Sequence, residues 1–378
     1  MAGRAGRAGR AGRAGRAGRA GRAGREGGEA DGSLAAALLT TREGILPYWE
    51  GLPDLLRRPP AATELARLKR LAKIPREVVI DDRLFHRFRP EANKLVCADL
   101  LRKDGRTDLV VLKRPSEDFF AGQLQAMNAF ADLRDDRLDE IMVQQEDITS
   151  FFASVLGLES GRSAWIFELM EAVVRLCGYV EFPLKFHFDV PRPAHYCTRT
   201  MPVIETPGHG SWPSGHATEA FALATVLAGL LHRQVDAPET FSMQVASGSC
   251  ASPAHVLKRV AMRIADNRVV AGVHYPFDSV AGAVLGTAIG EALVNYLSGA
   301  EATSAYVLEE PKGLTAGNGD LTLDTLEDLL GLSAAIPVAF AEPPCQRDAL
   351  LKAVWAEAVS CMTASAPAPA PAPSAAPG

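Results

Sequence analysis

Three clusters between residues 185 and 278 hold the side chains of this 378-residue chain best suited to chemistry. Lys185 stands seven residues before Arg192, which Pro193 follows. Pro213-Ser214-Gly215-His216 opens an apolar run, Ala217–Leu231. Arg268 is followed by His274 six residues on and by Asp278 four after that. Lys185, Arg192 and Arg268 are fixed cations. A helix starting at Ser214–His216 would add free backbone N–H groups and the positive end of a dipole. Gly215 lets the backbone approach a ligand, Ser214 offers a hydroxyl, and His216 titrates near neutrality. A carboxylate near His274 can fix its tautomer and make the other ring nitrogen a better nucleophile or ligand. Such a set matches a doubly charged tetrahedral or bipyramidal oxyanion. One histidine can attack or coordinate while the other gives or takes a proton. That is a phosphoryl-transfer inventory that needs no metal ion.

Each residue alone has a plainer reading. Ser214 is a good N-cap by type. Asp278, in the first turn of a helix that Pro276 would open, is a favourable dipole partner. Lys185 and Arg192 beside prolines read as solvated charges. A divalent ion held by His216, His274 and Asp278 is a further alternative, but three cationic side chains would repel it. His187, His195 and His209 lie in or near loops and are left out of the catalytic set. His209, seven residues before His216, is the second-rank candidate. Trp212 and Tyr275, both beside prolines, read as packing before pocket lining.

In order and internal spacing, K-x6-R-P (185–193), P-S-G-H (213–216) and R-x5-H-x3-D (268–278) resemble the three-part signature of the type 2 phosphatidic acid phosphatase and vanadium haloperoxidase superfamily. The resemblance covers roughly residues 116–298. Asn267 departs from it, because many members carry Ser before the Arg; a change in a secondary contact is expected. The resemblance implies an all-helical bundle with its site at the ends of central helices. It assigns Lys185, Arg192, Ser214, Gly215 and Arg268 to oxyanion binding. It makes His274, oriented by Asp278, the nucleophile of a phosphohistidine, and His216 the general acid and base. In the haloperoxidase branch the same pocket holds vanadate, with His274 as its axial ligand and His216 assisting peroxide.

Hydrophobic periodicity supplies the elements that must carry these residues. Phe119, Phe120, Leu124, Met127 and Phe130 recur at helical spacing, as do residues in Ile141–Leu156 and Ala164–Leu176. After Gly178 the chain reads as a loop through Lys185–Pro193. Helices are then expected to about His232, from Pro253 to Val270, and on to about Leu297. Before them, Lys94–Leu101 and Thr107–Lys113 are β-prone runs flanking Lys103-Asp-Gly-Arg106, a hairpin signal. The fold class expected is therefore all-α, with a small β-hairpin ahead of the bundle. The organisation expected is 1–33 a disordered Ala-Gly-Arg arm, 34–115 an N-terminal extension and 116–298 the catalytic bundle. After it come an acidic C-terminal extension, 299–363, and a disordered Ala/Pro tail, 364–378. Within the extension, helices are expected near Asp324–Leu332 and Arg347–Cys361.

Composition bounds the function. Apolar residues are 47% of the chain, enough for a large core, and net charge is −5. Eight arginines fall in residues 2–25, so the remainder is strongly acidic. Nucleic-acid binding is not expected beyond a weak contribution from that arm. Six scattered cysteines without CxxC or zinc spacing read as reduced, mostly buried thiols. Ala217–Leu231 is too short to span a membrane, and Val280–Leu297 carries Glu291 and several glycines, so both read as core helices. With no clear signal peptide, a cytoplasmic location is expected. The leading expectation is a soluble phosphatase acting on small phosphomonoesters with no cofactor. The alternatives are a vanadate-dependent haloperoxidase acting on halide and peroxide, and a non-catalytic interaction scaffold.

Overall fold

A computed structural model describes residue 41 and residues 61–101, 108–232, 239–310 and 336–365. The Ala-Gly-Arg arm, the Lys103–Arg106 turn, the Asp324–Leu332 stretch and the tail from residue 366 lie outside them. The chain divides into two compact units, Met1–Asp82 and Arg83–Gly378. In the first, α1 (Glu64–Leu68) is capped by Thr63, whose hydroxyl accepts from the Ala66 N–H at 3.1 Å. Helix α2 (Lys73–Phe85) follows and ends in the second unit.

The second unit is mostly helical but not all-α. Strands β1 (Phe88–Glu91), β2 (Lys94–Cys97), β3 (Leu100–Leu101) and β4 (Asp108–Leu112) precede the helices, and β5 (Ala302–Leu308) and β6 (Ile336–Phe340) follow them. All six form one sheet in the order β1-β2-β4-β5-β6-β3. The expected antiparallel pairing of the two N-terminal runs is present as β2 on β4. What corrects the all-α expectation is β5, which pairs in parallel with β4 through Val110–Tyr306, Val111–Val307 and Leu112–Leu308. A segment taken for an acidic extension thus completes a sheet begun some two hundred residues earlier.

The helices are α3 (Glu117–Ala131), α4 (Arg134–Glu146), α5 (Thr149–Leu156), α6 (Ala164–Phe188), α7 (Pro193–Tyr196), α8 (Gly215–His232), α9 (Met243–Ala246), α10 (Pro253–Val270), α11 (Pro276–Ser298) and α12 (Ala349–Ser365). The single helix expected over Ile141–Leu156 is two. Asp147 adopts an extended conformation, and its carboxylate accepts from the Thr149 N–H at 2.7 Å and the Ser150 N–H at 3.3 Å, satisfying the start of α5. Helix α6 runs twelve residues beyond Leu176, through Pro183, so Lys185 lies in its last turn and not in a loop. Helix α12 continues to Ser365, into the stretch assigned to the tail.

Helix α8 is central, packing against α11, α10 and α6. Its contact with α11 is backbone to backbone. A Cβ on Gly282 would sit 2.5 Å from Ser214 O, and one on Gly286 2.2 Å from Thr218 O. These glycines, with Gly290, recur every fourth residue and so share one helix face. Helix α11 has the length and hydropathy of a membrane span, but all of it up to Leu297 is buried inside this unit. None of the six cysteines is in a disulfide, and only Cys97 and Cys177 are buried, which corrects the expectation of mostly buried thiols.

Candidate active site

The close approach of α8 and α11 sets the site. It places the Ser214 N–H 2.9 Å from Asp278 O, joining the second and third clusters through backbone. Pro276 is the first residue of α11, and the Asp278 side chain turns back to accept from the Tyr275 N–H at 3.0 Å. The same oxygen, Oδ2, meets His274 Nδ1 at 2.8 Å. On the other side of the imidazole, Arg192 Nη1 lies 2.9 Å from Nε2 and donates to Val273 O at 2.7 Å. Guanidinium can only donate, so Nε2 carries the lone pair and Nδ1 the proton.

Electrostatics point the same way. Burial, then the Arg192 and Lys185 cations, hold the His274 imidazole well below its usual pKa, so the ring is neutral. Burial pushes Asp278 up to about 7, against the Tyr275 N–H and the same two cations. The pair holds one proton between Nδ1 and Oδ2, and those donors and cations favour the carboxylate with Nδ1–H.

Lys185 is 1% exposed, and its ammonium donates to the carbonyls of Pro213 and, at 3.4 Å, Ser211. It therefore holds the loop that presents Ser214. Burial lowers it to about 8, against the neighbouring Glu181. The Glu181 carboxyl is itself raised by burial and rests on Gly215, where a Cβ would meet Glu181 Oε2 at 2.5 Å. A side chain at position 215 would therefore displace the Glu181 carboxyl. Ser214 Oγ accepts from the Ala217 N–H at 3.5 Å, so the capping reading of this residue is also met.

Arg268 is 1% exposed and donates through Nη2 to Ile141 O at 3.2 Å and Gln144 Oε1 at 3.1 Å. Its Nε and Nη1 have no protein partner. Two orphaned, buried guanidinium donors suit an oxyanion. Vanadate and phosphate both meet that requirement, so the residues fit either group. Among the described residues no cluster of three or more His, Cys, Asp or Glu forms that could hold a metal cation.

Gln144, on α4, was not singled out in the sequence, yet it ties the site together. Its side-chain oxygen also accepts from Asn267 Nδ2 at 3.1 Å, and its backbone carbonyl lies 3.0 Å from His216 Nε2. A carbonyl can only accept, so Nε2 of His216 carries hydrogen and Nδ1 is the nitrogen that can take a proton. Asn267 also donates to Glu140 at 2.9 Å and accepts from Arg137 at 3.3 Å, making it a link to α4. His209 belongs to the site: its carbonyl accepts from Arg192 Nε at 3.0 Å, and its Nδ1 lies 3.2 Å from Nη2. Burial and those cations lower its pKa to about 4. His187 and His195 are exposed. Trp212 packs on Phe188 and Tyr275 on Phe120, both buried.

The model of the PAP2 superfamily matches residues 167–301. A vanadium-dependent bromoperoxidase from Ascophyllum nodosum is 36% identical over 94 residues, which are 22% of this chain and 17% of that protein. The chain thus aligns with about a sixth of the length of that relative. Every signature side chain, from Lys185 to Asp278, lies inside residues 167–301, the part of the chain that matches the PAP2 superfamily.

Proposed function

We propose that this site binds vanadate and oxidises halide with hydrogen peroxide. The observation that carries this over phosphoester hydrolysis is the 94-residue likeness to a bromoperoxidase, which reverses the order of the two expectations above. His274 Nε2 would be the ligand atom, kept unprotonated by burial and by the Nδ1–H bond to Asp278. Arg192, Arg268 and Lys185 would hold the oxyanion oxygens, with Arg268 Nε and Nη1 the donors that lack protein partners. Vanadate bound there would supply peroxide activation. Overall, peroxide and bromide with one proton give hypobromous acid and water, so a proton has to be delivered. With Nε2 directed at the Gln144 carbonyl, His216 Nδ1 would be the atom to hold it. Burial of the cations keeps bulk water from screening them.

A second reading uses the same atoms. A lone pair on a neutral, carboxylate-oriented imidazole facing buried cations is also what in-line attack on a phosphomonoester requires, with His216 protonating the leaving alkoxide. The full chain, incubated with orthovanadate, should brominate an activated organic acceptor when peroxide and bromide are present. Chelating the vanadate should stop it, and His274→Ala should abolish it without altering the circular dichroism spectrum. Hydrolysis of an aryl phosphate with no vanadate-dependent bromination would replace the first reading with the second.

A further inference from the structure

Glu181 is a carboxylate placed beside a site for anions, and the chemistry derived above gives it no part. It stands on α6 four residues before Lys185, so both side chains leave the same face of the helix. It is 5% exposed, and its Oε2 is buried with no hydrogen-bond partner. A Cβ on Gly215 would sit 2.5 Å from Oε2, 2.6 Å from Oε1 and 2.9 Å from Cδ. The carboxyl therefore fills the space that a side chain at 215 would take, against the first residue of α8. The Lys185 ammonium holds the same segment from just before it, through the carbonyls of Pro213 and Ser211.

A negative charge in this position opposes the oxyanion that Lys185, Arg192 and Arg268 would gather. What offsets that repulsion is its effect on Lys185. An ammonium this deeply buried tends to shed its proton, and the two carbonyls on it are neutral. The charged groups facing it are Glu181 on its own helix, Glu219 on α8, Asp278 on α11 and Arg192 at the N-cap of α7. Arg192 repels it. Among the three carboxylates Glu181 acts on it most strongly, and Asp278 is already engaged by His274 and the Tyr275 N–H. Burial raises Glu181 itself, and the Lys185 and Arg192 cations work against that rise.

We infer that Glu181 is a positioning residue of the oxyanion site: its buried carboxylate is the counter-charge that keeps the Lys185 ammonium charged against the Pro213–Gly215 segment. It acts through Lys185 and not by contact with the anion. The inference rests on the oxyanion binding common to both readings above, and holds whichever of them is correct.

Calorimetric titration of the full chain with sulfate, from about pH 6 to about pH 10, tests this. Lys185 is a cation below its pKa, so without the carboxylate its charge, and the affinity that depends on it, is lost earlier as pH rises. Glu181→Gln keeps the shape and removes the charge. The break in affinity, near 8 in the wild type, should move down by about one unit in this variant. On the acid side of the break its affinity should equal or exceed that of the wild type, because a repelling charge is gone. Glu181→Met makes the same change with no buried amide to satisfy, and should give the same result. Glu219→Gln should move the break less. A break that does not move down in Glu181→Gln and Glu181→Met overturns the proposal. So does an equal shift from Glu219→Gln, or a loss of affinity by one factor at every pH, which is what a merely structural role would produce. If the wild type binds no sulfate at any pH, the oxyanion site itself fails and this proposal with it.

Discussion

At the scale of single residues, the site depends on charges kept out of water, and Lys185 is the one whose charge is closest to being lost. An exposed lysine would remain charged far into alkaline solution; burial brings this one to about 8. It is charged below that pH and neutral above it, so oxyanion affinity should be full on the acid side and fall as pH rises through about 8, by up to about tenfold per unit. Sulfate, whose own charge is constant in this range, is the suitable probe. In Lys185→Gln the affinity should be lower throughout and that break should vanish. A break that persists in the variant would assign it to another group. This residue type was legible in the sequence, as were the other signature positions, because fixed motif spacing survives without knowledge of the fold. Gln144 was not, since an uncharged residue 41 positions before Lys185 has no local signal. Its importance arises only where α4 crosses the ends of α8 and α10. Glu181 was equally hidden, as a carboxylate in a helical stripe ordinarily faces solvent.

At the scale of elements, the decisive contact is α8 on α11. Helix boundaries such as Pro253–Val270 were readable from periodicity and prolines. What periodicity cannot give is the interaxial distance, which here is set by glycines at 282, 286 and 290. Gly286→Ala should force the two helices apart, because its Cβ would lie 2.2 Å from a backbone oxygen that cannot rotate away. Overpacking of this kind costs about 1–3 kcal/mol. At this chain length that lowers Tm by very roughly 2–4 °C per kcal/mol. The same movement pulls Ser214 from Asp278, so oxyanion affinity should fall with stability. Gly178→Ala on α6 is the comparison, since its Cβ would have ordinary contact at 4.0 Å with Phe182. It should be neutral or stabilising by up to about 1 kcal/mol through helix propensity. Equal losses from both substitutions in thermal melts would show that close approach is not what the α11 glycine serves. The misjudged stretch, Gly178–Phe188, illustrates the limit of breaker rules. Pro183 sits inside α6 because the buried neighbours Val180, Leu184 and Lys185 hold the helix together across it.

At the scale of the whole second unit, the family match ends at residue 301, one residue before β5 begins. The sheet is therefore built from sequence on both sides of the matched region, and β4–β5 pairing closes around it. The C-terminal segment is bound to the helical body at three places. Tyr306 Oη satisfies the buried Glu291. Arg347 donates to the carbonyls of Asn295, Tyr296 and Ala300 at 3.2, 2.9 and 2.7 Å, which completes the end of α11. Leu350, Leu351, Val354, Trp355, Ala358 and Met362 on α12 are buried, and α12 packs on α6 and α11. Acidity and prolines made this segment look like an appendage, because charge is counted over the sequence while burial follows one helix face. Ending the chain after Ala300 should remove the neighbour of β4, strip one donor from Glu291 and uncover the apolar surface that α12 covers. An unpaired strand beside such a surface drives association. The shortened protein should therefore aggregate or lose its cooperative melt, and sulfate binding with it. Trp355→Ala tests the same idea with the chain intact, and a cost of about 3–5 kcal/mol is expected from the cavity it leaves. If the shortened protein instead melts at the full-length temperature and still binds sulfate, the segment is an added module. The six-stranded sheet would then be incidental to the architecture that holds His274 in place.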